Sequence, residues 1–108
     1  MPVREIYAGE TAPLQFNVWN TDGVTKKSGL VQPGNFTVSV WHDGAVDAVV
    51  AAAVLAAILE IGTSGAYKSA FAPGTGTGYW RIEIVNTWST DVMGEAFEVR
   101  AVRTLGVG

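Results

Sequence analysis

Two alternating stretches separated by a segment rich in glycine and proline place the strongest constraint on this fold. Within residues 62–80 and just beyond, Ala66–Phe71 and Tyr79–Val85 each alternate apolar and polar side chains, and Trp80 falls on the apolar face of the second stretch. A period of two is typical of a strand with one buried face. Glycine supplies the positive φ angles that tight turns require. The pattern therefore predicts a β-hairpin with Trp80 in the core.

Several other segments show the same alternation, with turn-forming pairs such as Asp22-Gly23 and Pro33-Gly34 between them. We expect about seven short strands, which predicts an all-β sandwich. At 108 residues the chain is expected to form one domain, with residues 1–10 as an N-terminal arm or edge strand and residues 103–108 as a tail. The additional predicted strands are Val3–Tyr7, Pro13–Asn20, Phe36–Trp41 and Met93–Val102.

The segment Ala45–Ile61 has neither the period of two of a strand nor a polar face of the width that an amphipathic helix normally has. Its alanines favour a helix, with Asp47 as the N-cap and Gly62 as the C-terminal stop. Its valines favour a strand. We expect a short helix within residues 46–58, or a mixed segment, lying over an open edge or face of the sandwich.

Composition excludes several classes of function. The chain has no cysteine, so disulfides and thiolate zinc sites are excluded. Its 7 basic residues are scattered and the net charge is −3, whereas nucleic-acid binding requires a basic stripe. Charged residues make up 16% and apolar residues 48% of the chain, against about a quarter charged in typical domains. Such a surface is expected to contact another protein.

No membrane or export segment is expected. The longest apolar run, Ala48–Leu59, is shorter than the roughly 20 residues that span a bilayer. The N-terminus lacks the apolar core of a secretory signal. We therefore expect a protein that is made and kept in the cytoplasm.

The candidate catalytic and ligand-binding patterns are weak. The glycines at 74, 76 and 78 precede a strand, whereas a phosphate loop precedes a helix. His42 beside Asp43 is the only histidine, and no motif places a nucleophile near it. The loop aspartates lack the spacing of a calcium loop. We expect no enzymatic activity, no cofactor and no metal.

Exposed aromatic rings are the best candidates for an interaction site. Trp19 and Trp41 have the opposite parity to the apolar residues of their strands, which places both rings on an outward face. Three alternatives follow: a protein interface, a sugar-stacking platform, or a second core layer if Ala45–Ile61 covers that face. Trp88, in a polar turn, and Tyr7, on the N-terminal strand, complete the set of candidate interaction residues.

One pattern of glycine, proline, aromatic and apolar residues runs through the predicted hairpin and consists of Ser64, Gly65, Tyr67, Phe71, Pro73, Gly78, Trp80, Ile82 and Ile84. This pattern resembles the Ig-like β-sandwich repeats of filamin and of bacterial invasin-type and phage virion proteins. The resemblance implies an Ig-like β-sandwich, and fold alone does not imply function. The segment Ala45–Ile61 departs from those repeats, in which the corresponding stretch is shorter and more polar.

A cysteine-free Ig-like module without an export signal is similar to a small phage virion protein, because virions assemble in the bacterial cytoplasm. The resemblance implies a structural role in the capsid decoration, neck or tail. It also implies contacts with other virion proteins and with further copies of the same chain. The alternative is a carbohydrate-binding or adhesion module that uses Trp19, Trp41 or Trp88.

Overall fold

The computed structural model describes residues 4–20, 24–31, 34–74, 77–87 and 94–102. Within these residues the chain is mostly β, with one short helix, and forms two sheets in a sandwich-like arrangement. Two of its eight strands have only two residues each. The elements are β1 (Arg4–Tyr7), β2 (Ala12–Asn17), β3 (Phe36–His42), β4 (Ala45–Val46), α1 (Ala48–Ala56), β5 (Leu59–Glu60), β6 (Ala66–Phe71), β7 (Gly78–Asn86) and β8 (Gly94–Val102).

The larger sheet has the strand order β1-β8-β7-β3-β4, and the smaller sheet has the order β2-β6-β5. The edge strand β1 pairs with β8 in parallel. The other pairings are antiparallel. Because β1 belongs to the larger sheet and β2 to the smaller one, the chain crosses between the sheets within its first described residues.

The core lies between the two sheets and follows the alternation of the sequence. Leu14 and Phe16 of β2 are buried while their neighbours in the strand are exposed, as expected for a strand with one buried face. Trp80 is 1% exposed, which confirms its prediction as a core residue. The rings of Phe36 and Tyr67 meet edge to face, with their centroids 5.3 Å apart, and this contact joins the sheets.

The predicted hairpin between β6 and β7 is wrong. β6 pairs with β2 and β5 in the smaller sheet, whereas β7 pairs with β3 and β8 in the larger sheet. The Gly/Pro-rich connection therefore crosses from one sheet to the other. Both strands present their apolar side chains to the same core, with Phe71 fully buried and Trp80 nearly so.

The segment Ala45–Ile61 contains both of the structures that were predicted for it, strand and helix. It contains β4, then α1, then β5. The Asp47 carboxylate accepts a hydrogen bond from the Val50 amide at 3.1 Å, which confirms Asp47 as the N-cap. The helix ends at Ala56, so the prediction of Gly62 as its stop is wrong. The chain leaves the helix earlier because Leu59 and Glu60 pair with β6.

Helix α1 closes one side of the sandwich. It connects β4, at the edge of the larger sheet, to β5, at the edge of the smaller sheet. Val54 is fully buried, and its carbonyl oxygen accepts a hydrogen bond of 2.6 Å from the Ser69 hydroxyl of β6. The helix is therefore fixed to the core by one side only.

The described part of the long loop between β2 and β3 is held against the smaller sheet. The buried Tyr67 hydroxyl donates to the carbonyl oxygen of Lys27 at 2.8 Å and accepts from the Leu30 amide at 3.2 Å. The Glu60 carboxylate accepts hydrogen bonds from the amides of Gly29 and Gly65, both at 2.9 Å. Burial raises the pKa of Tyr67, the hydrogen bond from Leu30 opposes the shift, and the charge of Glu60 adds to it.

Candidate protein-interaction surface

The aromatic residues predicted from the sequence occupy different parts of the sandwich. Trp19 is 42% exposed and forms an isolated bridge with Lys26 beyond the end of β2. Tyr7 ends β1 and is partly exposed. Trp41 is partly buried on the outer face of β3. Trp88 lies outside the described residues.

Trp19 and Trp41 do not lie together. The amide of Val18, next to Trp19, donates to Gly65 just before β6 begins. Trp41 pairs with Arg81 near the start of β7, the strand that follows the end of β6. The two tryptophans therefore lie at opposite ends of the sandwich, and of the two only Trp41 belongs to a sheet. They cannot form one sugar-stacking platform.

Trp41 instead contributes to an apolar surface beside α1. It pairs across the strands with Val46 of β4, so the two side chains lie on the same face of the sheet. Val46 is 75% exposed, and Val49 in the first turn of α1 is 82% exposed. A groove of about 300 Å³ runs between β3 and the helix. We call the set Trp41, Val46, Val49, Ala52 and Leu55 the α1 surface.

The composition of α1 is that of a buried helix. None of the residues in Ala48–Ala56 has a polar side chain, yet only Val54 is buried. Val49, Ala52 and Ala53 are exposed. A helix that is apolar on all sides is normally surrounded by protein or lipid. No helix among the described residues is both long and apolar enough to cross a membrane.

His42 has a packing role at the other side of the core. Its ring stacks on Trp80 with the centroids 3.8 Å apart. Its Nε2 atom lies 2.9 Å from the carbonyl oxygen of Thr77 and 3.3 Å from the Asp43 carboxylate. The predicted turn after this strand is present, with Asp43 and Gly44 at positive φ. In the described part of the chain, no cluster of three or more His, Asp or Glu side chains could hold a metal ion.

The exposed valines of the α1 surface were not among the candidate residues from the sequence. The sequence did contain an indication of an apolar surface here, because Ala48–Leu59 is an uncharged apolar run in a chain with few charges. The sequence left open which side of this run the core covers. Packing of Val54 against the core determines that Val49 faces outward.

Comparison with known proteins found no matching family model, no matching curated protein and no matching solved structure.

Proposed function

We propose that this protein is a non-enzymatic assembly domain with an Ig-like fold, and that copies of it associate through the α1 surface. The exposure of Val49 in a helix without polar side chains carries this proposal. Leaving such a surface in water costs free energy that a partner would recover, at about 25 cal/mol for each Å² of apolar surface buried.

The strand order supports the Ig-like part of the proposal. Variable-type Ig domains place strands G, F and C, extended by C′, in one sheet and strands B, E and D in the other. If β2 is strand B, then β3, β4, β5, β6, β7 and β8 take the places of C, C′, D, E, F and G in chain order. The larger sheet then has the order G-F-C-C′ and the smaller sheet the order B-E-D. The parallel β1 is an additional strand beside G.

The chemistry of the α1 surface favours a second copy as the partner. The exposed helix positions of this surface, Val49 and Ala52, are uncharged, so two copies would meet there without repulsion. Alanine side chains allow two helices to approach closely, within the usual range of about 8–10 Å between axes. A twofold contact needs a surface that is complementary to itself, and a small uncharged helix face meets that requirement.

We further propose that the domain is a component of a phage virion. This is supported by the resemblance of the β6 to β7 region to Ig-like virion modules, at positions that include Tyr67, Phe71 and Trp80. In that setting the domain would serve as a capsid decoration, neck or tail component.

Size-exclusion chromatography with light scattering tests the association. The wild-type chain should show a mass above that of the 11.4 kDa monomer as its concentration increases. Val49→Lys should return it to the monomer, because the association would bury a charge. Val31→Lys is the matched control, since Val31 is 65% exposed in another part of the molecule. A wild-type protein that stays monomeric at high concentration would contradict the proposal, as would equal disruption by both variants.

A further inference from the structure

The segment that closes one side of the sandwich, Ala45–Ile61, is apolar along its whole outer side. Exposed positions recur from β4 through α1 to β5, and each of them carries an apolar side chain. Of the nine large hydrophobic residues that are exposed in the described part of the chain, four belong to this segment. We call its exposed residues the outer face of the closing segment: Ala45, Val46, Ala48, Val49, Ala52, Ala53, Ala56, Ala57, Leu59 and Ile61.

The large side chains lie toward the two ends of this outer face. Val46 and Val49 lie where the chain leaves the larger sheet, and Leu59, which is 61% exposed, lies on β5 at the edge of the smaller sheet. The exposed residues between them follow the helical repeat, in which positions three or four apart share a face. The outer face therefore begins at the α1 surface and continues past the end of the helix.

The two charged side chains of the closing segment are bonded within the chain. The Asp47 carboxylate caps α1, and the Glu60 carboxylate accepts hydrogen bonds from the amides of Gly29 and Gly65. Asp47 and Glu60 are both partly buried. A second copy would therefore meet no charge on the outer face itself.

Charged residues border the outer face at its two ends. Lys68 is the cross-strand partner of Leu59, so it lies on the outward side of the smaller sheet. Arg81 is the cross-strand partner of Trp41, and its guanidinium lies 3.6 and 3.5 Å from two glutamate carboxylates. An apolar centre within a charged rim is the usual arrangement of a protein interface.

The α1 surface alone is small for a stable contact. Standard interfaces involve roughly 20–30 residues of each partner, whereas the α1 surface has five, of which Trp41 and Leu55 are partly buried. Extension past Trp41 would meet the charged side chains around Arg81, which are costly to desolvate. Extension along α1 toward Leu59 would bury apolar side chains only. The second direction is therefore favoured.

A second copy fits the outer face better than a lipid surface does. Helices that lie on membranes carry lysine or arginine on a polar face. In contrast, α1 has no polar side chain and is flanked by the acidic residues Asp47 and Glu60. A second copy presents the same uncharged face, as a twofold contact requires.

We propose that the contact between copies continues past α1 to the edge of the smaller sheet, with Leu59 as its second anchor. This inference rests on the proposed association through α1 and extends it. The contact spans both sheets of each copy, because Val46 belongs to the larger sheet and Leu59 to the smaller one.

Thiol labelling of a Leu59→Cys variant tests this extension, because the chain contains no cysteine of its own. A maleimide reagent under reducing conditions should label this variant about tenfold more slowly once about nine chains in ten are associated, as measured by light scattering. Val31→Cys, at a position of similar exposure, should be labelled equally fast at every protein concentration. Addition of Val49→Lys to Leu59→Cys should abolish the protection.

Leu59→Lys provides a second test with a different readout. The variant should keep the wild-type circular dichroism spectrum, because Leu59 is exposed on an edge strand. It should raise the dissociation constant of the association by about tenfold or more, because the contact would bury a charge. Leu59→Met keeps an apolar side chain and should leave the dissociation constant nearly unchanged.

Failure of this inference differs from failure of the proposed function. If the wild type associates and Val49→Lys returns it to the monomer, labelling of Leu59→Cys that is independent of concentration would overturn the extension alone. A wild type that stays monomeric would overturn both. Protection that survives Val49→Lys would overturn the extension, because a separate contact would then cover Leu59. Slow labelling at the lowest concentration would also overturn it, because the chain itself would then provide the cover.

Discussion

His42 stacks face to face on Trp80, with the ring centroids 3.8 Å apart and the ring planes within 4° of each other. The two residues are cross-strand partners on β3 and β7. Phe71 contacts Trp80 edge to face, at 5.8 Å. The imidazole thus forms part of the cover that keeps the largest core side chain 1% exposed.

Removal of this stack should weaken the fold. His42→Ala should lower the free energy of unfolding by about 1 kcal/mol, because a stacked ring pair contributes roughly 0.5–1.5 kcal/mol beyond the area it buries. Urea denaturation measures the change. His42→Phe keeps a flat ring over Trp80 and should recover most of the loss. An alanine variant as stable as the wild type would show that the stack contributes nothing.

Tyr67 should make the protein less stable at high pH. Burial raises the pKa of its hydroxyl above the ordinary value of 10.0. The contribution of Tyr67 to the free energy of unfolding is therefore fully present below about pH 10 and is lost as pH rises through the folded-state pKa, since the unfolded chain releases the proton first. Urea denaturation from neutral pH to above pH 10 should show this decrease.

Tyr67→Phe is the matched variant for that titration. At neutral pH it should cost about 1–3 kcal/mol, because the Leu30 amide and the Lys27 carbonyl lose their partner. Above pH 10 the stability difference between wild type and variant should shrink. A difference that stays constant over the whole pH range would contradict the assigned role of the hydroxyl.

Gly65 and Gly74 should respond differently to alanine, although their φ angles are +76° and +75°. A methyl group at Gly74 meets nothing within 4 Å, so Gly74→Ala should cost only the backbone strain of about 1 kcal/mol. At Gly65 the methyl group would meet the Cβ atom of Lys26 and would lie 3.0 Å from its carbonyl carbon. Gly65→Ala should cost about 1–3 kcal/mol more. Equal losses in chemical denaturation would disprove the close approach of the loop to β6.

Much of the local structure could be predicted from the sequence. The alternation of Leu14 and Phe16 identified the buried face of β2, and Asp47 identified the start of the helix. These features depend on the side-chain period and on capping, both of which are local. The sequence did not predict which strands pair. β6 pairs with β2, and the paired residues Ala12 and Phe71 lie more than fifty positions apart in the chain. Such a pairing depends on how the whole chain packs, which local patterns do not show.

The candidate surface was predicted in part. The apolar run Ala48–Leu59 and the outward parity of Trp41 were visible in the sequence. The exposure of Val46 and Val49 was not, because it depends on how α1 connects the edges of the two sheets.

Site-specific crosslinking tests association through α1 most directly, because the chain contains no cysteine. Val49→Cys introduces one thiol on the α1 surface, and Val31→Cys introduces one on a comparably exposed control position. Under mild oxidation, the Val49→Cys protein should form a disulfide-linked dimer at least about tenfold faster than the control, because association raises the effective concentration of the thiols. Equal rates for the two variants would contradict an interface between copies at α1.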